Sequence, residues 1–103
     1  MVESTNYKAS ECRKASHAGD WYSSKASVLN SQLDGYLKKA KADTKLTEGK
    51  ILKAIIGPHA GLEYSGPTSA WAYINIEPTK YKRVILLGPS HYLYLDTCAL
   101  SQM

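Results

Sequence analysis

Two histidines in this sequence stand in the same local setting. Ile55-Ile56-Gly57-Pro58 leads into His59, and Leu86-Leu87-Gly88-Pro89-Ser90 leads into His91. Each time an apolar run is closed by Gly-Pro and followed by an imidazole. Gly and Pro bend the backbone, so each ring is held at a defined loop position. Imidazole is a common metal ligand and titrates near neutrality, so two convergent histidines can begin a metal site or act as an acid–base pair. Two ligands are fewer than the three that a catalytic metal normally takes from its protein. A third can come from His17, Asp96, Cys98, a partner chain, or a residue outside this sequence.

Other side chains sit in motifs that suit a pocket wall. Ala15-Ser16-His17-Ala18-Gly19-Asp20-Trp21-Tyr22 is a dense polar-aromatic loop. His17 can donate to a backbone carbonyl there and fix the loop that presents Trp21. The Trp21 indole can stack on a ligand or anchor the edge of a core, and the Tyr64 phenol can donate to an anion or cap a loop. Trp71 reads as a core residue, and Cys98 as a small buried apolar side chain.

The elements that must position these groups follow the order helix, strand, helix, strand. From Val28 the apolar residues Leu29, Leu33, Tyr36, Leu37 and Ala40 recur at helical spacing. Residues 23–27 offer caps, and the Lys-rich end before Asp43 suits the helix dipole. Residues 44–50 read as a loop. Residues 51–56 and 83–87 are short apolar runs bounded by turn signals, as in buried strands. Between them Pro67 is suited to a helix start. Ala70, Trp71, Tyr73 and Ile74 would face inward, and Pro78 would end that helix. This order predicts an α/β fold with a right-handed βαβ unit of parallel strands. Parallel neighbours lie about 4.8 Å apart. His59 and His91 would then project over one sheet edge, where sites form in open α/β sheets. Two strands cannot bury both faces of a sheet, so the sheet is expected to be incomplete in this chain.

Composition narrows the function classes. The chain has 103 residues, 44% hydrophobic and 21% charged, which suits one small globular domain. Phe is absent and Tyr occurs 8 times, which favours half-buried surfaces over a dry core. The net charge is +4, from 13 basic and 9 acidic residues. The lysines are dispersed, with no Arg-rich stripe and no nucleic-acid motif, so no nucleic-acid partner is expected. Cys12 and Cys98 fit no CxxC pattern and read as reduced thiols. The first residues carry no apolar signal region, and the apolar runs are too short to span a membrane. No membrane insertion is expected. The expected location is the cytoplasm, with the nucleus left open. Residues 1–14 read as a flexible lead-in and residues 15–103 as the folded part.

The three motifs together resemble the Memo family, named for mediating ErbB receptor-driven cell motility. The resemblance rests on residues 15–22, on residues 55–61 with Tyr64-Ser65-Gly66, and on residues 87–91, with Cys98-Ala99-Leu100-Ser101 matching the continuation. It runs from about Cys12 to Ser101, in order and with family-like spacing. It implies that residues 15–103 are the N-terminal part of a Memo-like domain. The implied fold is an α/β/α sandwich similar to class III extradiol non-haem iron dioxygenases, present here in part. His59 and His91 match the family's two N-terminal metal-ligand histidines. Trp21 and Tyr64 match pocket-lining aromatics. The implied cofactor is copper or iron, in redox and superoxide-linked motility signalling. The implied partners are phosphotyrosine peptides of receptor tails and small GTPase or NADPH oxidase signalling components. The family's remaining ligand, a cysteine, falls beyond Met103. Its His-His after Gly-Pro-Ser is His91-Tyr92 here, and Asp20 replaces a smaller residue.

Three functional readings follow. The first is a metal-dependent redox protein of dioxygenase-like architecture, in which direct catalysis by this chain is left open. The second is a non-enzymatic adaptor whose pocket of His59, His91, Trp21 and Tyr64 accepts a phosphotyrosine peptide. Arg clusters usually do that work, and Arg13 and Arg83 are the only arginines. The third is an inactive truncated isoform or fragment.

Overall fold

The computed structural model describes residues 13–100. They fall into two separately packed units. One is Ser16–Arg83; the other comprises, among the described residues, 13–15 and 84–100. The expected lead-in over 1–14 lies outside the described residues except for Arg13 and Lys14, which are exposed. Cys12 also lies outside them.

The first unit holds the helices. α1 spans Ala26–Lys39, α2 Thr44–Thr47 and α3 Leu62–Tyr73, followed by a 3-10 turn at Pro78–Lys80. α1 forms where the apolar spacing places it. The Ser23 hydroxyl accepts from the Lys25 amide at 3.1 Å and turns the chain into the helix. Lys38 and Lys39 occupy the last turn, where a cation meets the negative end of the dipole. α2 arises inside the expected loop, because Asp43 caps it by accepting from the Lys45 amide at 2.9 Å.

α3 corrects one expectation. It begins at Leu62, so Pro67 lies inside it and not at its start. The upstream turn forms because a tertiary acceptor supports it: the Leu62 amide donates to the Trp21 carbonyl at 2.7 Å. Pro67 lacks an N–H, which removes one intrahelical bond from the middle of α3. The end also moves. α3 stops at Tyr73, before Pro78, with the Ile74 amide closing onto Ala70.

α1 packs against α3 through small residues. Ser65, Gly66 and Ala70 are the buried positions of α3. The Tyr36 ring lies directly over Gly66. A methyl built at Gly66 would fall 2.7 Å from Tyr36 Cδ2, nearer still to Cε2, and 3.1 Å from Leu62 Cδ1. The large side chains expected to face inward are not all covered. Trp71 is 53% exposed and Tyr73 48%. Among the described helices, α1 is the one that packs against α3. The face covered by α1 is the Ser65-Gly66-Ala70 face, so Trp71, next along the helix from Ala70, turns away from it. The core of the described residues is accordingly thin, with Ala40 and Ala70 its buried hydrophobic members.

Residues 51–56 and 83–87 carry no strand pairing; the described residues hold only an isolated bridge between Ala18 and Tyr22. A strand is a stable element only with neighbours to satisfy its amides and cover its faces. No helix of the described residues is long and apolar enough to cross a membrane.

Candidate functional site

The loop over residues 17–22 is tightened by its own backbone. The His17 carbonyl accepts from the Trp21 amide at 2.9 Å and the Asp20 amide at 3.2 Å, and the Gly19 amide donates to the Tyr22 carbonyl at 2.7 Å. Gly19 has φ +94°, a left-handed conformation that glycine takes without a Cβ penalty. The loop is therefore fixed by the His17 main chain, while its ring is used elsewhere.

That ring meets Trp21. The His17 and Trp21 ring centroids lie 5.0 Å apart with planes tilted by 39°. On the other side, Trp21 and His59 are 5.4 Å apart, edge to face at 61°. The indole is thus shared between two exposed imidazoles, and such pairs contribute about 0.5–1.5 kcal/mol beyond area burial. The backbone reinforces this meeting. The same Trp21 residue whose ring contacts His59 gives its carbonyl to Leu62, three residues further on. A methyl at Gly61 would stand 3.6 Å from that carbonyl oxygen, so the two loops touch through main chain.

Ser65 fastens the His59 turn from inside the helix. Its buried hydroxyl donates to the Ala60 carbonyl at 3.0 Å and lies 3.2 Å from the Gly61 carbonyl. Sequence reasoning gave Ser65 no role of its own. A serine in the first turn of a helix is a known back-bonding residue, and that was the available signal.

Tyr64 sits in the same first turn of α3 and is 80% exposed. Below the loops, Trp21, Tyr22, Leu29, Leu33, Ala60 and Leu62 line an open, mainly apolar hollow of about 360 Å³. This unit therefore brings together His17, Trp21 and His59, with Tyr64 on the adjoining turn.

His91 belongs to the second unit. It is exposed and lies in a turn closed by Ser90, whose hydroxyl donates to the Leu93 carbonyl at 2.6 Å and accepts from the Leu93 amide at 3.3 Å. Cys98, expected to be buried, is an exposed free thiol. Its segment, residues 84–100, is exposed throughout. Asp96 is likewise exposed. Among the described residues, no three His, Cys, Asp or Glu side chains are grouped to hold a metal ion. His59 and His91 have the right donor chemistry for copper or iron, but the described residues do not assemble a full ligand set, and no catalytic step is derived through a metal.

Lys80 and Glu77 form an exposed ion pair at 2.6 Å. The hydrogen bond from Lys80 holds the Glu77 carboxyl below its usual value and raises the lysine.

The Memo-like protein family model matches residues 13–103. The chain belongs to the Memo-like family. It is 49% identical over 92 residues to Protein MEMO1 of Xenopus laevis and 45% identical over 92 residues to Protein MEMO1 of Homo sapiens, covering 89% of this chain and 29% of each relative. It is 43% identical over 83 residues to MEMO1 family protein MHO1 of Saccharomyces cerevisiae, covering 80% of this chain and 24% of that relative. The chain thus spans under a third of the length of these relatives. No solved structure matches it.

Proposed function

We propose that this chain forms the N-terminal part of a metal-binding Memo-like domain in which His59 and His91 are two imidazole ligands of copper or iron. The observation that carries the reading is family membership across residues 13–103; both histidines are exposed and follow a Gly-Pro pair in the chain. Imidazole suits either metal, and a further thiolate ligand would favour copper(I). In this reading the remaining ligand comes from outside these 103 residues, and the work of the site is redox chemistry in motility signalling. Trp21 holds His59 in orientation, much as an outer partner orients a ligating histidine.

The test is a chelator-controlled titration of the purified chain with copper(I) and iron(II). The parent is expected to bind weakly, since two imidazoles are an incomplete set. His59→Ala/His91→Ala is expected to lose that binding, and His17→Ala to keep it. Equal uptake by the parent and the double variant, or no uptake by the parent, would refute the assignment. A chelator-insensitive phosphotyrosine-peptide complex lost in Trp21→Ala would instead support the adaptor reading.

A further inference from the structure

The lysines of this chain occur singly and in pairs, yet six of them fall within residues 38–53: Lys38, Lys39, Lys41, Lys45, Lys50 and Lys53. Asp43 and Glu48 are the acidic residues of that stretch, so it carries a charge of +4, equal to the net charge of the whole chain. All six lysines are exposed. Lysine is almost never fully buried without a partner, so this exposure follows from the side-chain type.

The stretch is anchored along its length. Lys38 and Lys39 occupy the last turn of α1. Ala40 is buried, and its amide closes onto the Tyr36 and Leu37 carbonyls at 3.2 Å each. The Asp43 amide donates to Asn75 Oδ1 at 2.8 Å, which ties the entry of α2 to the residues after α3. The Asp43 carboxylate accepts from the Lys45 amide, and Lys50 Nζ donates to the Lys45 carbonyl at 2.9 Å. A basic stretch held in this way loses less freedom on contact than a loose tail would.

Three features choose between polyanions. Residues 38–53 contain no arginine, so they lack the planar fork that grips one phosphate or one base edge in two bonds. They contain no aromatic residue, so they offer no stacking platform for single-stranded nucleic acid. Leu46 stands between Lys45 and Lys50 and is 54% exposed; an apolar side chain among lysines can enter the headgroup boundary of a bilayer. Point charges around such a side chain suit an extended anionic lipid surface.

We propose that residues 38–53 form a contact surface for bilayers that contain anionic lipid, bound peripherally and with no helix crossing. Each lysine near such a surface strengthens binding by about fivefold, and the attraction fades beyond a Debye length. The proposal stands apart from the metal assignment, because no metal takes part in the contact.

The experiment is co-sedimentation of the purified chain, in EDTA, with vesicles of phosphatidylcholine alone and of phosphatidylcholine mixed with phosphatidylserine. Binding to the mixed vesicles only is expected, weakening as salt rises. Lys38→Gln/Lys39→Gln/Lys41→Gln/Lys45→Gln is expected to lose at least about a hundredfold in affinity. Its helical circular dichroism should match the parent, because the substituted side chains are exposed. Arginine at the same four positions keeps the charge and should keep the binding. Arg13→Gln/Lys14→Gln/Lys82→Gln/Arg83→Gln removes as much charge elsewhere and should stay within about fivefold of the parent. The proposal is overturned by absence of binding, by equal binding to both kinds of vesicle, by equal losses in the two glutamine variants, by loss of binding in the arginine variant, or by tighter binding to duplex DNA than to the mixed vesicles at the same salt.

Discussion

Gly66→Ala tests the packing on which the first unit rests. In an ordinary helix interior this change stabilises by about 1 kcal/mol, because alanine loses less backbone entropy than glycine. Here the new methyl would fall 2.7 Å from Tyr36 Cδ2 and 3.1 Å from Leu62 Cδ1. The first distance is too short for carbon atoms and the second is tight, so the Tyr36 ring must shift and Leu62 must give slightly. Overpacking of that kind costs about 1–3 kcal/mol. The sum predicts destabilisation of up to about 2 kcal/mol. The decisive comparison uses a Tyr36→Ala background. There the ring is gone and only the flexible end of the Leu62 side chain has to give by a few tenths of an ångström, so Gly66→Ala should stabilise by up to about the propensity gain. The coupling between the two positions is therefore about 1–3 kcal/mol, with a change of sign. Urea titrations followed by far-UV circular dichroism measure all four proteins, and equal slopes would validate the comparison. Gly66→Ala stabilising both backgrounds equally would show that the ring does not lie on Gly66, and the account of α1 against α3 would fail.

Three further outcomes follow from local geometry. Ser65→Ala removes the hydroxyl that bonds the Ala60 and Gly61 carbonyls; a loss of about 1 kcal/mol, partly offset by alanine's helix propensity, should appear as faster amide exchange at Leu62, and unchanged exchange would contradict the tie. Trp21→Ala removes the ring between His17 and His59, so the imidazole proton resonances of both should shift in NMR spectra, while Trp21→Phe keeps an aromatic neighbour and should shift them less. The carboxyl of Glu77 should titrate below the ordinary value of 4.5, because Lys80 hydrogen-bonds the carboxylate. A depressed carboxyl contributes stability that is present above its unfolded value and lost as pH falls through the folded one. The raised Lys80 behaves oppositely, contributing below the ordinary 10.5 and losing that contribution as pH rises through its folded value. Both groups are exposed, so added salt should move Glu77 back toward 4.5; a Glu77 titration that ignores both salt and Lys80→Met would rule out the pair as the cause.

The parts of the fold that a sequence can reveal are those decided by neighbours along the chain. α1 follows from the spacing of Leu29, Leu33, Tyr36, Leu37 and Ala40 because that periodicity is local. The start of α3 was hidden because its support is tertiary. Pro67 is the strongest local signal in the region, yet the Trp21 carbonyl, far back in sequence, allows the helix to begin five residues earlier at Leu62. Hydrophobicity places Trp71 inward, but the approach of α1 is set by the smallness of Ser65, Gly66 and Ala70. A side chain's size was the governing quantity there, and not its polarity.

The candidate site divides along the same line. Gly-Pro-His and Gly-Pro-Ser-His single out His59 and His91 in the sequence, because each histidine follows an apolar run and a chain-bending pair. The pairing of His17 and His59 through one indole was not legible, since nothing local links residue 17 to residue 59. What joins them is a backbone bond from Leu62 to Trp21, which brings the head of α3 against the loop before α1. The apolar runs themselves carry information of another kind. Residues 84–87 have the pattern of an interior strand and the exposure of an unpaired one. Sequence pattern records the surroundings a segment is built for, while exposure records the surroundings it has. The contrast at residues 84–87 is therefore one between a pattern suited to burial on both faces and exposed surroundings.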